Sequence, residues 1–256
     1  MNPRRWADKK YFLFDLDGTL AKSKSSIDAQ MKQLLSDLLN YKTICVISGG
    51  RFKQFREQLV DQLELSCEKL DKLHLFPTCG TVYYRFEDGK YKLVYRHALE
   101  DEDKREIFEA FKVVLNRIGY NEPNTYGEII EDRGTQITFS ALGQEAPYEL
   151  KKIWDPDKKR RSIIKTELDK LIPKFEVRLG GTTSIDVTSN GIDKGYAVDM
   201  IIKYLGCKKN EMVFFGDALE PGGNDHAAYL VGVDCIPVID HIDVIWKTRL
   251  ILDLGF

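Results

Sequence analysis

The stretch KYFLFDLDGTLAKSKSS, residues 10–26, decides how this chain is read. An apolar run, Tyr11-Phe12-Leu13-Phe14, stops at Asp15, and a second carboxylate, Asp17, follows two positions later, before Gly18 and Thr19. A short run of continuous apolar residues is what a parallel strand buried on both faces requires. Ligands of open α/β sheets sit beyond the carboxyl ends of such strands. Residues i and i+2 of extended chain face the same side, so Asp15 and Asp17 can point into one crevice, with Gly18 letting the backbone turn. Asp-Gly between apolar residues also fits a hairpin turn, and the motif by itself leaves both readings open.

The neighbouring sequence repeats the pattern. Residues 27–39 place Ile27, Met31, Leu34, Leu35 and Leu38 at helical spacing. Thr43–Ile47 form a second apolar run, ending in Ser48-Gly49-Gly50, and a helix is expected to begin near Arg51. Small residues with free N–H groups at a helix start suit an anion. LHLF, residues 73–76, reads as a third strand, and the alternation predicts a doubly wound α/β layer. Near residue 84 the pattern changes. TVYYRF and YKLVYR flank Asp88-Gly89, a hairpin signal. A helix over 101–117, a strand in GTQITFSAL, a helix over about 157–171 and two strands in FEVRLGGTTSIDVT follow, an antiparallel α+β pattern. The first style then returns with a helix in KGYAVDMIIKYL, an apolar strand in EMVFFGD ending at Asp217, and strand material in 227–239. The reading is an α/β core, 1–83 and 189–256, interrupted by an α+β insert, 84–188. The run Lys158-Lys159-Arg160-Arg161 is expected to be a solvated helix start or the lining of a substrate entrance.

Composition bounds the function. The 256 residues carry 38 basic and 40 acidic side chains, a formal charge of −2, which gives no reason to expect nucleic acid or a membrane surface as partner. The five cysteines are scattered without a C-x-x-C pair, which argues against a disulfide framework or structural zinc. The start, MNPRRWADKK, lacks the apolar region of a secretory signal, and no segment supplies the ~20 apolar residues of a bilayer span. A cytoplasmic protein is expected.

Acids, a hydroxyl, backbone donors and Lys194 thus recur at loop positions beside core strands. In order they read DLDGT, SGGR, a lysine in NGIDKGYA, and GDALEPGGND. That order resembles the haloacid dehalogenase superfamily of phosphotransferases, and the insert resembles its type IIB cap. Within that group the chain is similar to eukaryotic-type phosphomannomutases, through DxDGTL, the DGK hairpin, RGT, GG-x-x-S-x-D, the DK pair and FFGD-x-x-x-PGGND. The resemblance covers nearly the whole chain. It implies a Rossmannoid core with a IIB cap and a Mg²⁺-dependent reaction through an aspartyl-phosphate on a small phosphorylated metabolite such as a sugar phosphate. Asp15 is then the nucleophile and Asp17 the general acid and base. Ser48, the Gly49 N–H and Lys194 would hold the phosphoryl group. Asp15, Asp217 and the Asp17 carbonyl would bind the metal, with Asp225 in contact or behind it. On residues alone, Lys194 also fits a surface lysine, Asp217 a plain strand-end acid and Asp225 a loop N-cap. Arg133, Ser184 and Asp186 match substrate-binding cap positions, although polar residues on a half-exposed strand would read the same. Lys24 falls where the family carries a basic residue near the site. A monomer or a cap-mediated homodimer is implied.

The likeness weakens after RGT. Where phosphomannomutases continue with two arginines, Ser140 stands at the first position and no arginine is near the second; Lys151 and Lys152 are displaced substitutes. Lysine does not reproduce the bidentate grip of arginine on phosphate. A phosphatase is therefore expected, with a hexose phosphate mutase as the alternative and a non-catalytic binding protein as a remote one.

Overall fold

The computed structural model describes residues 4–23 and 25–253. The chain forms two compact units, Met1–Arg96 with Asp193–Phe256, and His97–Ile192. The first unit contains α1 (Arg4–Ala7), β1 (Tyr11–Asp15), α2 (Ala29–Leu38), β2 (Thr43–Ile47), α3 (Phe52–Gln58), α4 (Cys67–Leu70), β3 (Leu73–Phe76), β4 (Val82–Glu87) and β5 (Lys90–Arg96). The second holds α5 (Asp101–Arg117), β6 (Ile130–Asp132), β7 (Ile137–Ser140), α6 (Tyr148–Trp154), α7 (Lys159–Leu171), β8 (Phe175–Gly180) and β9 (Ser184–Ser189). The chain then returns to the first unit with α8 (Lys194–Leu205), β10 (Met212–Gly216), α9 (His226–Leu230), β11 (Asp234–Pro237) and α10 (His241–Leu252).

The first unit is built on a sheet of order β11-β10-β1-β2-β3-β4-β5. The pairs from β11 to β3 are parallel, and β4 and β5 are antiparallel at one edge. Parallel pairing of β1 with both β10 and β2 excludes a hairpin at Asp17-Gly18. The apolar runs are continuous because helices cover both faces. Phe12, Phe14, Ile44, Val46, Val213 and Phe215 pack in one cluster with Met31, Leu34, Leu35 and Leu38 of α2. Leu13, Cys45, Ile47 and Phe214 pack in another with Ala197, Val198 and Ile201 of α8. Asp28 caps α2 by accepting from the Met31 N–H at 2.8 Å, and Asp193 caps α8 through the Tyr196 N–H at 2.8 Å.

The hairpin over 82–96 extends the core sheet rather than the inserted unit. Its turn residues, Asp88 (φ 51°) and Gly89 (φ 76°), both take the left-handed conformation of a tight hairpin. The sequence reading placed the insert at 84–188, and this hairpin accounts for most of the offset from the division at 97. Tyr83 stacks on Phe76 with ring centroids 4.6 Å apart, which ties β4 to the core.

The second unit is a four-stranded antiparallel sheet, order β6-β7-β9-β8. Ile137, Phe139, Ile185, Val187 and Val177 form one face and pack on Ile107, Phe111 and Val114 of α5 and Ile164 and Leu168 of α7. The alternate residues make a polar face, with Thr138 opposite Asp186, Asp186 opposite Arg178, and Ser140 opposite Ser184. The basic run is not wholly solvated. Arg161 is 2% exposed, and its Nε donates to Asp155 Oδ2 at 2.7 Å. Its Nη1 donates to the carbonyls of Gly180 at 3.0 Å and Gly181 at 2.9 Å, so it pins the β8–β9 turn. Neither a solvated start nor an entrance lining describes that residue.

Candidate active site

β1 turns into a loop immediately after Asp15. The N–H groups of Leu20 and Ala21 donate to the Leu16 carbonyl, and the Gly18 N–H donates to the Ala21 carbonyl at 2.8 Å. Asp15 continues the alternation that sends Leu13 toward α8, and α8 begins with Lys194. The Lys194 Nζ donates to Asp15 Oδ1 at 2.6 Å and also to Asp225 Oδ1. Lys194 is 1% exposed, which rules out the surface-lysine reading. Asp225 is fully buried at the first turn of α9, yet its side chain does not cap that helix. Its Oδ2 accepts the Ala218 N–H at 3.0 Å, which folds the loop Asp217–Asp225 back on itself.

Asp217 joins this group. Oxygens of Asp15, Asp217 and Asp225 all lie within 4.8 Å of one another. Gly18, at φ +93°, makes room for this, because a Cβ there would stand 2.4 Å from Asp217 Oδ2. Three carboxylates against one ammonium leave two negative charges in excess. Burial would by itself lower the Lys194 pKa, but the charges of Asp15 and Asp225 outweigh it and hold the ammonium above the ordinary lysine value. Burial raises Asp15 well above the usual carboxylate range; Lys194 opposes this, and Asp225 and Asp217 add to it. Asp217 keeps a solvent-exposed edge, and the protein around it, with Asp225, still raises its pKa. Uncompensated oxygen donors of this kind fit a hard divalent cation such as Mg²⁺.

β2 lies beside β1 and ends just before Ser48, which is 3% exposed. The Ser48 Oγ accepts the Gly50 N–H at 3.2 Å, and its carbonyl accepts the Cys79 N–H at 3.0 Å. Gly49 is half-buried between Ser48 and Gly50. The buttress over 78–80, with Thr78 (φ 48°) and Cys79 (φ 54°) both left-handed, carried no sequence signal. Nor did Gln58, at the end of α3, whose Nε2 donates to Asp17 Oδ1 at 3.4 Å. Lys24 lies outside the described residues.

The predicted insert residues sit together on the polar face of the second unit's sheet. Ser184 Oγ is 3.0 Å from Ser140 Oγ, and Asp186 Oδ1 accepts from Thr138 Oγ1 at 2.7 Å and Gln136 Nε2 at 3.1 Å. The Arg133 side chain, 6% exposed, gives its Nε to Glu131 Oε2 at 2.7 Å and its Nη2 to Gln144 Oε1 at 3.2 Å. It is not a surface arginine. Lys151 is 2% exposed and donates to the Gln144 carbonyl at 2.8 Å, a structural use that does not fit a displaced phosphate ligand.

Residues 12–225 match the model of the haloacid dehalogenase-like hydrolases. The chain belongs to that family. Its parallel core sheet and its separate antiparallel α+β unit fit a Rossmannoid core with an inserted cap, the fold of that family. It is similar to a probable phosphomannomutase of Caenorhabditis elegans, 25% identical over 233 residues that cover 87% of each chain. It is also similar to human phosphomannomutase 1, 29% identical over 220 residues, 83% of this chain and 80% of that one. Its fold resembles that of a subclass IIB sugar phosphatase at a TM-score of 0.60 and 16% identity, over 94% of this chain and 98% of that one. It resembles an IMP-bound IMP-nucleotidase of Plasmodium falciparum at a TM-score of 0.72 and 13% identity, over 96% and 68%. Among the described residues, no helix of this haloacid dehalogenase-like hydrolase is long and apolar enough to cross a membrane.

Proposed function

We propose that this enzyme is a phosphatase that hydrolyses a monophosphate ester of a small, hydroxyl-rich metabolite such as a sugar, through an aspartyl-phosphate on Asp15. The observation that carries the reading is the convergence of buried Asp15, Lys194 and Asp225 with exposed Asp217 at the carboxyl edge of the core sheet.

Asp15 attacks phosphorus in line, the ester bond to phosphorus breaks, and Asp17 gives its proton to the departing oxygen. Asp17 then takes a proton from water as that water attacks phosphorus, which frees phosphate and restores the Asp15 carboxylate. Lys194 holds Asp15 in one rotamer and supplies fixed positive charge beside the phosphoryl group. Ser48 and the Gly49 N–H hold its oxygens. A Mg²⁺ bound by Asp15, Asp217 and the Asp17 carbonyl, with Asp225 next to them, would offset the charge of a phosphate dianion beside these acids.

The polar cap face supports a phosphatase over a mutase. A mutase must hold a second phosphate while a bisphosphate intermediate reorients. Here Arg133 already gives a nitrogen to Glu131, and Ser140 stands at the first of the two positions after RGT where the mutases carry arginine. Ser140, Ser184, Thr138 and Asp186 are groups that recognise hydroxyls. On this reading Arg133, Ser184 and Asp186 orient the uncharged part of the substrate. The mutase reading draws on the likeness to proteins named phosphomannomutase over more than four-fifths of the chain. One assay separates the two. Purified protein with Mg²⁺ is given hexose monophosphates, with and without a hexose 1,6-bisphosphate. Phosphate release without need of the bisphosphate is expected. Interconversion of hexose 1- and 6-phosphates that depends on the bisphosphate, with little release, would overturn the phosphatase.

A further inference from the structure

Gln58 has no place in the motifs, and its position assigns it a task. It is 5% exposed and ends α3, and its Nε2 donates to Asp17 Oδ1 at 3.4 Å. The backbone around it is fixed. The Ile27 N–H donates to the Gln58 carbonyl at 2.9 Å, and Ser26 Oγ donates to the Glu57 carbonyl at 3.1 Å. The Phe55 side chain, one turn earlier, is fully buried in the core under the sheet. The end of α3 is therefore bolted to the segment that leaves the Asp17 loop. From there the amide reaches back to one carboxyl oxygen of Asp17.

We infer that Gln58 is a positioning residue for Asp17, an inference that rests on the phosphatase reading above. Asp17 must exchange a proton with the departing ester oxygen, so its carboxyl group has to stay turned toward that oxygen and away from the cation-binding acids. Asp17 lies just past the end of β1, in an isolated bridge with Ala21. A neutral amide suits the task. It donates to one oxygen, leaves the other for the proton, and adds no charge to a site already rich in acids. A carboxylate at position 58 would repel Asp17, and an aliphatic chain would give it no hydrogen bond.

The test separates positioning from a merely structural role through the leaving group. A sugar alcohol leaves poorly without a proton, whereas 4-nitrophenolate leaves without one. For each ester, kcat/KM covers the steps up to departure of the alcohol. In Gln58→Leu, kcat/KM for the best hexose monophosphate should fall about 10- to 100-fold, part of the 10²–10⁴ that a positioned acid contributes. For 4-nitrophenyl phosphate it should fall less than about threefold. Gln58→Glu, of the same shape, should show the same selectivity and decides the matter if Gln58→Leu does not fold. Asp17→Asn gives the reference pattern. Equal losses on both esters, or no loss on the hexose phosphate, would overturn the inference while Asp15→Asn still abolished turnover and left the phosphatase reading intact. A wild-type protein inactive toward both esters would overturn both.

Discussion

The Lys194 ammonium donates to Asp15 at 2.6 Å across 179 residues of sequence, and both side chains are almost fully buried. The first strand of the core thus depends on a residue that follows the whole insert. Because Lys194 also reaches Asp225, its removal would leave two buried acids uncompensated.

Lys194→Met should cost about 3–5 kcal/mol, as for other broken buried pairs. In a thermal melt this is a drop of roughly 6–20 °C. An unchanged melting temperature would mean that the carboxylates are relieved in some other way.

Asp15→Asn should fold and lose phosphate release by at least about a thousandfold, since its amide cannot form the covalent intermediate. Mass spectrometry of wild type quenched during turnover should find phosphate on Asp15. Residual turnover within tenfold of wild type would remove Asp15 from the role of nucleophile.

Mg²⁺ should stabilise the wild type by mass action, by about 2.7 kcal/mol at a hundred times its dissociation constant. Asp217→Asn should lose most of that shift, because it removes the carboxylate that Gly18 leaves room for. Equal shifts in both proteins would place the cation elsewhere.

His74 gives a dependence on pH away from the site. Burial lowers its pKa to about 4, and its Nδ1 lies 2.9 Å from the Tyr83 hydroxyl. Between about 4 and the unfolded value near 6.5, the unfolded chain binds a proton that the folded chain refuses. The contribution is therefore whole above pH 6.5 and lost as pH falls toward 4, about 3 kcal/mol in all. Denaturant titrations of wild type and His74→Asn should diverge in slope within this window and run parallel above it.

The sequence made the parallel core readable because each central strand is an apolar run ending in a functional group, as with Phe14 before Asp15 and Gly216 before Asp217. Lys194, Asp217 and Asp225 needed the motif order, since spacing says nothing of a contact spanning 179 residues. Other features were hidden for local reasons. β6 has only three residues, and α6 buries Lys151 rather than an apolar stripe. The strand material expected over 227–239 divides into α9 and β11. In α10, Ile242 and Trp246 face solvent and blur the periodicity set by Val244, Ile245 and Ile251, although Asp240 caps the helix clearly. Arg161 looked like a solvated charge because nothing in a basic run announces the carboxylate of Asp155 and two carbonyls waiting for it. Gln58 was invisible because its partner lies in another loop.

The pairing of β1 with β10 has a consequence for biosynthesis. As the chain leaves the ribosome, the N-terminal strands must wait, one edge of β1 unpaired, until the insert and then residues 212–216 have been made. The nascent core meanwhile presents an open, apolar edge with Asp15 at its end. The cluster of Asp15, Lys194 and Asp225 is among the last parts of the molecule to come into being.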